Sequence, residues 1–246
     1  MDQKVVLITG GARRVGAAIC RTLHASGANI MLHYRSSVEQ ARSLQAELNA
    51  VRADSVALVQ ADLLNIALVS GLVSETVNQF GRIDVLINNA SSFFPTPIGE
   101  ISEQAWDDLL GTNLKMPMFL SQAAAPYLRR SHGCIVNIVD IHADRPMRNY
   151  AVYSTAKGGL FALTRSLACE LGPEVRVNGV SPGVILWPED ERWSDEVARQ
   201  RIVQSTLLKR VGDPDDIART VRFLVYDAPY ITGQVIAVDG GRSIHL

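Results

Sequence analysis

The chain has 246 residues, 47% of them hydrophobic, and 24 Lys and Arg stand against 25 Asp and Glu, a formal net charge of -1. This balance excludes a general binder of nucleic-acid backbone, which needs a cationic surface, and no run approaches the ~18 apolar residues that span a bilayer. Neither a nucleic acid nor a membrane is an expected partner. Only four apolar residues, Val5 to Ile8, follow Met1-Asp2-Gln3-Lys4, too few for the apolar stretch of a secretory signal. Cys20, Cys134 and Cys169 are odd in number and share no close spacing, which argues against a disulfide framework or a zinc site and for a reducing cytoplasm.

Short apolar runs alternate with longer amphipathic stretches. The runs cover residues 5–8, 30–32, 56–59, 85–87, 135–139, 175–180 and 235–238. Most are continuous, as in strands buried on both faces of a parallel sheet. Helical patterns lie between them at 16–25, 38–48, 65–80, 104–128 and 150–171, with a late helix at 215–226. This β-α order predicts a single α/β domain over 1–246, a Rossmann-type doubly wound parallel sheet of about seven strands with helices on both faces. One interruption, residues 182–195, holds prolines, charges and tryptophans. With the stretch up to 205 it reads as a substrate lid or as a solvated insertion.

In such sheets ligands bind beyond the carboxyl ends of the strands. After the first run comes Thr9-Gly10-Gly11-Ala12-Arg13-Arg14-Val15-Gly16. Its glycines permit a sharp turn and a close helix, and the helix N-terminus offers free N–H groups to a pyrophosphate. After the second run, His33-Tyr34-Arg35-Ser36-Ser37 carries no carboxylate to hold an adenosine ribose. Arg35 with Ser36, and Arg14 nearby, can hold a 2′-phosphate instead, which favours NADPH over NADH; the alternative is a surface arginine. Asp62-Leu63 can meet the adenine edge, and Asn88-Asn89-Ala90 can line the cofactor channel. Either can equally be a turn or a cap.

Taken together, Thr9-Gly10 to Gly16, Asp62, Asn88-Asn89-Ala90, Asn113, the Tyr153-x-x-x-Lys157 pair, Ser181-Pro182-Gly183 and Val238-Asp239-Gly240-Gly241 resemble the short-chain dehydrogenase/reductase family over essentially the whole chain. Two departures narrow the resemblance. Arg14 stands where most members carry the middle glycine of TGxxxGxG, and Asp140, 13 residues before Tyr153, stands where most carry serine. Both departures resemble the pteridine reductases, as do His33-Tyr34-Arg35-Ser36 and the stretch from Ser91 to Pro97.

Tyr153 and Lys157 share a helix face, and an ammonium near a phenol favours its ionised form. The resemblance gives Lys157 the nicotinamide ribose, and Asn113 a relay water; the plain reading of Asn113 is a helix-interior polar residue. Asp140 either completes a proton path with Tyr153 and Lys157 or caps a loop. By the same resemblance Phe93 stacks a flat ring, with Ser91 beside it; the alternative is core packing, expected for Phe94. The implied cofactor residues are Gly10, Arg13, Arg14, Val15, Gly16, Tyr34, Arg35, Ser36, Asp62, Leu63, Asn89, Ala90, Ser91, Tyr153, Lys157, Pro182, Gly183 and Val184. The implied substrate residues are Arg14, Ser91, Phe93, Asp140, Tyr153 and Pro182. His33, His132, His142 and His245 lack metal-ligand spacing, so no metal is expected. Leu186, Trp187 and Trp193 fall in the proposed lid, as cover or as packing residues. The resemblance thus implies an NADPH-dependent reductase of pterins or folates, a homotetramer. A carbonyl reductase of the same fold and a non-catalytic NADPH sensor are the rival readings.

Overall fold

A computed structural model describes residues 3–188 and 193–245. The residues 189–192 of the expected lid lie outside it. The strands are β1 (Val5–Ile8), β2 (Asn29–Tyr34), β3 (Val56–Gln60), β4 (Val85–Asn88), β5 (Cys134–Ile138), β6 (Arg176–Pro182) and β7 (Val235–Val238). All pair in parallel in one sheet, in the order β3-β2-β1-β4-β5-β6-β7. The expected class is therefore the observed one.

Why the apolar runs are continuous is visible in β1. Val6 and Ile8 pack with α1 (Arg14–Ala25), α2 (Val38–Val51) and the late helix Pro214–Tyr226 on one face, whereas Leu7 packs with α3 (Val69–Phe80) and the helix Met116–Ser131 on the other. Successive side chains of a strand point to opposite faces, so a sheet covered twice needs apolar residues at every position. The edge strand β7 is only partly buried. The late helix starts on a capping box, in which Asp213 and Asp216 exchange side-chain and backbone bonds around Pro214. Among the described residues no helix is long and apolar enough to cross a membrane.

Two helical expectations need correction. The pattern at 65–80 divides into a 3-10 turn, Ile66–Leu68, and α3, because the Asn65 side chain accepts the Ala67 N–H and caps the first piece. The pattern at 104–128 divides into α4 (Glu103–Leu110), a π-helical turn (Gly111–Lys115) and α5 (Met116–Ser131). Asn113 lies fully buried in that turn, and its amide donates to Leu109 O at 2.9 Å and Ser92 O at 3.0 Å. Such wide turns open where a helix must present a polar group. The remaining helices are α6 (Ala151–Leu171), α7 (Glu196–Gln204), α8 (Pro214–Tyr226) and α9 (Arg242–His245).

The order places β1 and β4 side by side while their chains leave in opposite directions, and a crevice opens between their ends. The β1–α1 turn closes tightly over it. Gly10 adopts φ +62°, and a Cβ on Gly16 would run into the Gly10 carbonyl and the Asn89 amide. The variant Gly16→Ala is expected to lose about 1–3 kcal/mol of stability, as overpacking does, seen as a lowered urea midpoint. An unchanged midpoint would mean that α1 can move away from β1 freely.

Candidate active site

The strand ends are tied together before any ligand arrives. The Thr9 hydroxyl accepts the backbone N–H groups of Asn89 and Ala90, each at 3.0 Å, and the Asn89 amide donates to the Thr9 and Gly10 carbonyls at 2.9 Å. His33, at the end of β2, supports the glycine turn from the other side. Its Nδ1 accepts the Gly10 N–H at 3.2 Å, and its Nε2 meets the Ala61 carbonyl at 3.0 Å. Those partners require a neutral ring with the proton on Nε2. Burial pushes the His33 pKa down, against the Ala61 bond and the Asp62 charge.

A cavity of about 770 Å³ runs along these strand ends. Its size is within the range of small-molecule sites. Every residue expected at the cofactor or the substrate lines it: Gly10 and Arg13 to Gly16 of the turn, Tyr34 to Ser36, Asp62 and Leu63, Asn89 to Ser91, Phe93, Asp140, Tyr153, Lys157, and Pro182 to Val184. Asn113 does not line the wall. It stands behind it and accepts a 2.6 Å hydrogen bond from the Ser91 hydroxyl. Leu186 and Trp193 of the expected lid line the cavity as well. The segment after β6 meets the turn directly, because the Arg14 guanidinium donates to Leu186 O at 3.0 Å and to Trp187 O at 3.2 Å. Arg14 itself has φ +51°, which explains why glycine suits this position and marks the arginine as strained.

At the deep end, β5 delivers Asp140 opposite the first turns of α6. The Tyr153 hydroxyl donates to Asp140 Oδ2 at 2.7 Å, while Oδ1 accepts the His142 N–H at 2.8 Å and caps a 3-10 turn. Asp140 is thus both a cap and a partner of Tyr153. Burial pushes the Tyr153 pKa well above its ordinary value, reinforced by the Asp140 charge and hydrogen bond and opposed by the Ser91 hydroxyl. The phenol therefore keeps its proton at neutral pH. Lys157 is buried, donates to Ile138 O at 2.9 Å and has its Nζ 5.8 Å from the Tyr153 ring centre. Burial lowers its pKa to about 8, although the Asp140 charge works the other way.

Phe93 combines its two readings. It lines the cavity, but it also stacks on Tyr150 with ring centres 4.7 Å apart and meets the edge of Tyr153 at 4.8 Å. Trp193 approaches to 6.2 Å. Phe94 packs in the same apolar cluster, as expected. Sequence reasoning missed the support given by His33, the stack on Tyr150, and several further lining residues, His142, Met147 and Arg242 among them. Among the described residues no three His, Cys, Asp or Glu side chains converge as a metal site would require.

These residues fit a nicotinamide dinucleotide. The turn packs the start of α1 tightly against the strand ends, the N-terminus of that helix opens on the cavity, and the buried ammonium of Lys157 lies in the same cavity wall. The fold and cavity define an oxidoreductase of the dinucleotide-binding α/β class. Residues 10–243 match the family model described as enoyl-(acyl carrier protein) reductase. The chain is 39% identical to pteridine reductase 1 of Leishmania tarentolae, over 98% of this chain and 96% of that one. It is 38% identical to the 3-oxoacyl-(acyl-carrier-protein) reductase FabG of Staphylococcus aureus, over 97% of each. An uncharacterized oxidoreductase of Methylorubrum extorquens is 36% identical over 98% of each chain. The chain belongs to the short-chain dehydrogenase/reductase family, whose reductases use a nicotinamide cofactor.

Lys157 is an ammonium below about pH 8 and a neutral amine above it. Because its folded value lies below the ordinary 10.5, the unfolded chain holds this proton more tightly. The group therefore lowers stability below pH 8, and the penalty is relieved as pH rises towards 10.5. Side-chain NMR of Lys157 is expected to give a midpoint near 8. A midpoint at the ordinary value would mean that water reaches the ammonium.

Proposed function

We propose that the chain is an NADPH-dependent pteridine reductase that takes pterins or folates, oxidised or dihydro, towards their tetrahydro forms. The observation that carries this reading is the 2.7 Å bond from Tyr153 to Asp140 at the position where most of the family has serine. A serine donates a hydrogen bond to a substrate carbonyl, whereas a carboxylate accepts one from a phenol or a ring N–H. Reduction of a pterin C=N bond needs a proton at nitrogen, and the dinucleotide supplies a hydride when bound. Tyr153, neutral at physiological pH, is the proton donor. Asp140 carries its replacement proton, and the Lys157 ammonium and the Ser91 hydroxyl stabilise the phenolate in passing.

In this reading Gly10, Arg13, Val15 and Gly16 take the diphosphate. Arg14, Tyr34, Arg35 and Ser36 take the 2′-phosphate side, and Asp62 and Leu63 take the adenine. Asn89, Ala90, Ser91, Lys157, Pro182, Gly183 and Val184 hold the nicotinamide half. Phe93 offers its free ring area to the flat substrate, with Arg14, Ser91 and Pro182 at its edges. Asn113 positions Ser91 and a relay water. Residues 182–205 act as the lid, and the enzyme works as a cytoplasmic homotetramer. The relative named pteridine reductase 1 supports the substrate. The relatives named FabG support a second reading, a carbonyl reductase, and Asp140 separates the two.

Oxidation of NADPH with dihydrobiopterin, dihydrofolate and folic acid is expected in the wild type. It should fall about 10²–10⁴-fold in Tyr153→Phe and Asp140→Ser, as loss of a general acid does. Reduction of an acetoacetyl thioester with no pterin turnover would favour the carbonyl reductase, and NADPH binding with neither activity would favour the sensor. Arg35→Ala is expected to raise KM for NADPH about tenfold or more, the worth of a charged hydrogen bond, with little change for NADH. Equal effects on both cofactors would remove Arg35 from the 2′-phosphate.

A further inference from the structure

Arg242 enters the cavity wall by a route that the family motifs leave out of account. Asp239 closes β7, and two left-handed glycines, Gly240 at φ +63° and Gly241 at φ +79°, turn the chain back towards the ends of the sheet. The Asp239 carboxylate fixes this turn by accepting the Gly241 N–H at 2.9 Å and the Ser243 N–H at 2.7 Å. Asp239 packs against Gly183 and Gly241 against Leu207, and Arg242 lines the cavity, as Ile202 of α7 does, within the field of Asp140.

The other cations of the cavity that could serve this end are engaged. Lys157 donates to Ile138 O, and Arg14 to the Leu186 and Trp187 carbonyls. The Arg242 side chain makes no hydrogen bond or ion pair with any described residue, and its Nε is buried without a partner. Among the described residues the carboxylates near it, those of Asp140 and Asp239, are already in use: Asp140 takes the His142 N–H and the Tyr153 hydroxyl, and Asp239 takes backbone N–H groups. Burial lowers the guanidinium pKa, and the Asp140 and Asp239 charges oppose this. A half-desolvated guanidinium with open donors is costly unless an acceptor meets it, and its planar fork matches carboxylate and phosphate oxygens best.

We propose that Arg242 is a specificity-determining residue that receives an anionic substituent of the substrate, away from the atoms that react. This deepens the proposed function, on which it rests only in taking the cavity as the substrate site. The anion could be the glutamate tail of a folate or the phosphates of a carrier-linked acyl thioester, and both present the same chemistry to the guanidinium.

The test compares substrates that share a reacting group and differ in charge: dihydrofolate against dihydrobiopterin, and acetoacetyl-CoA against ethyl acetoacetate. KM and kcat are measured with NADPH for the wild type, Arg242→Gln and Arg242→Lys. In whichever pair the wild type reduces, Arg242→Gln is expected to raise the charged-to-neutral KM ratio about tenfold or more, with Arg242→Lys between. The responding pair identifies the source of the anion. Dissociation constants for all four compounds, read from tryptophan fluorescence in the presence of NADP+, should move by the same ratio without turnover. A ratio that stays constant in both measurements overturns the proposal. Absence of turnover with a shifted binding ratio would instead overturn the proposed function and leave the anion site standing.

Discussion

Where β1 and β4 end, two chains turn away from each other and leave backbone groups that no ladder can pair. The Thr9 hydroxyl and the Asn89 amide satisfy them, joining parts of the chain 80 residues apart. An unpaired buried peptide group costs about 1–3 kcal/mol, so this small clasp determines whether the crevice exists as a rigid floor. The glycine turn rests on it from above, and the stretch from Asn89 to Phe93 departs from it towards Tyr153. A ligand spanning the cavity therefore meets two halves whose separation is already set.

Arg14 shows what a position in the cavity wall tolerates. Its left-handed backbone costs roughly 1–2 kcal/mol relative to a glycine-compatible alternative. In return its guanidinium reaches the carbonyls of Leu186 and Trp187, which follow β6. The strain sits on the turn, while the hydrogen bonds sit on the segment across the cavity. The π-helical turn at Gly111–Lys115 is a comparable concession. It interrupts a regular helix to direct the Asn113 carbonyl oxygen at Ser91, whose hydroxyl in turn lies beside Tyr153.

The sheet was legible because a strand covered on both faces must be apolar throughout, and a run such as Val85–Ile87 carries that demand in its composition. The turn at Gly10 to Gly16 was legible because chain geometry there excludes side chains. Asn113 was legible only by resemblance. The apolar spacing continues through its π turn, so periodicity alone predicts one unbroken helix. The stack of Phe93 on Tyr150 joins parts of the chain that no local pattern connects. Arg242 follows two glycines near the end of the sequence, where no local pattern marks it. Its place at the cavity arises only when the last strand carries it into the field of Asp140.

The imidazole of His33 gives the turn a chemical condition. Its Nδ1 lone pair receives the Gly10 N–H, and this acceptor is lost when the ring gains a second proton. The folded chain resists that protonation, since burial holds the His33 pKa below its ordinary 6.5, and the unfolded chain does not. As pH falls below 6.5 the unfolded imidazole takes up a proton that the buried ring refuses, so folding loses stability at this residue, and at His24 in the same way. Once the ring is protonated in the fold, the contact it loses is the one to the Gly10 N–H in the β1–α1 turn. Acid thus bears on the turn that borders the cavity, through an imidazole that supports the fold and lines the cavity at once.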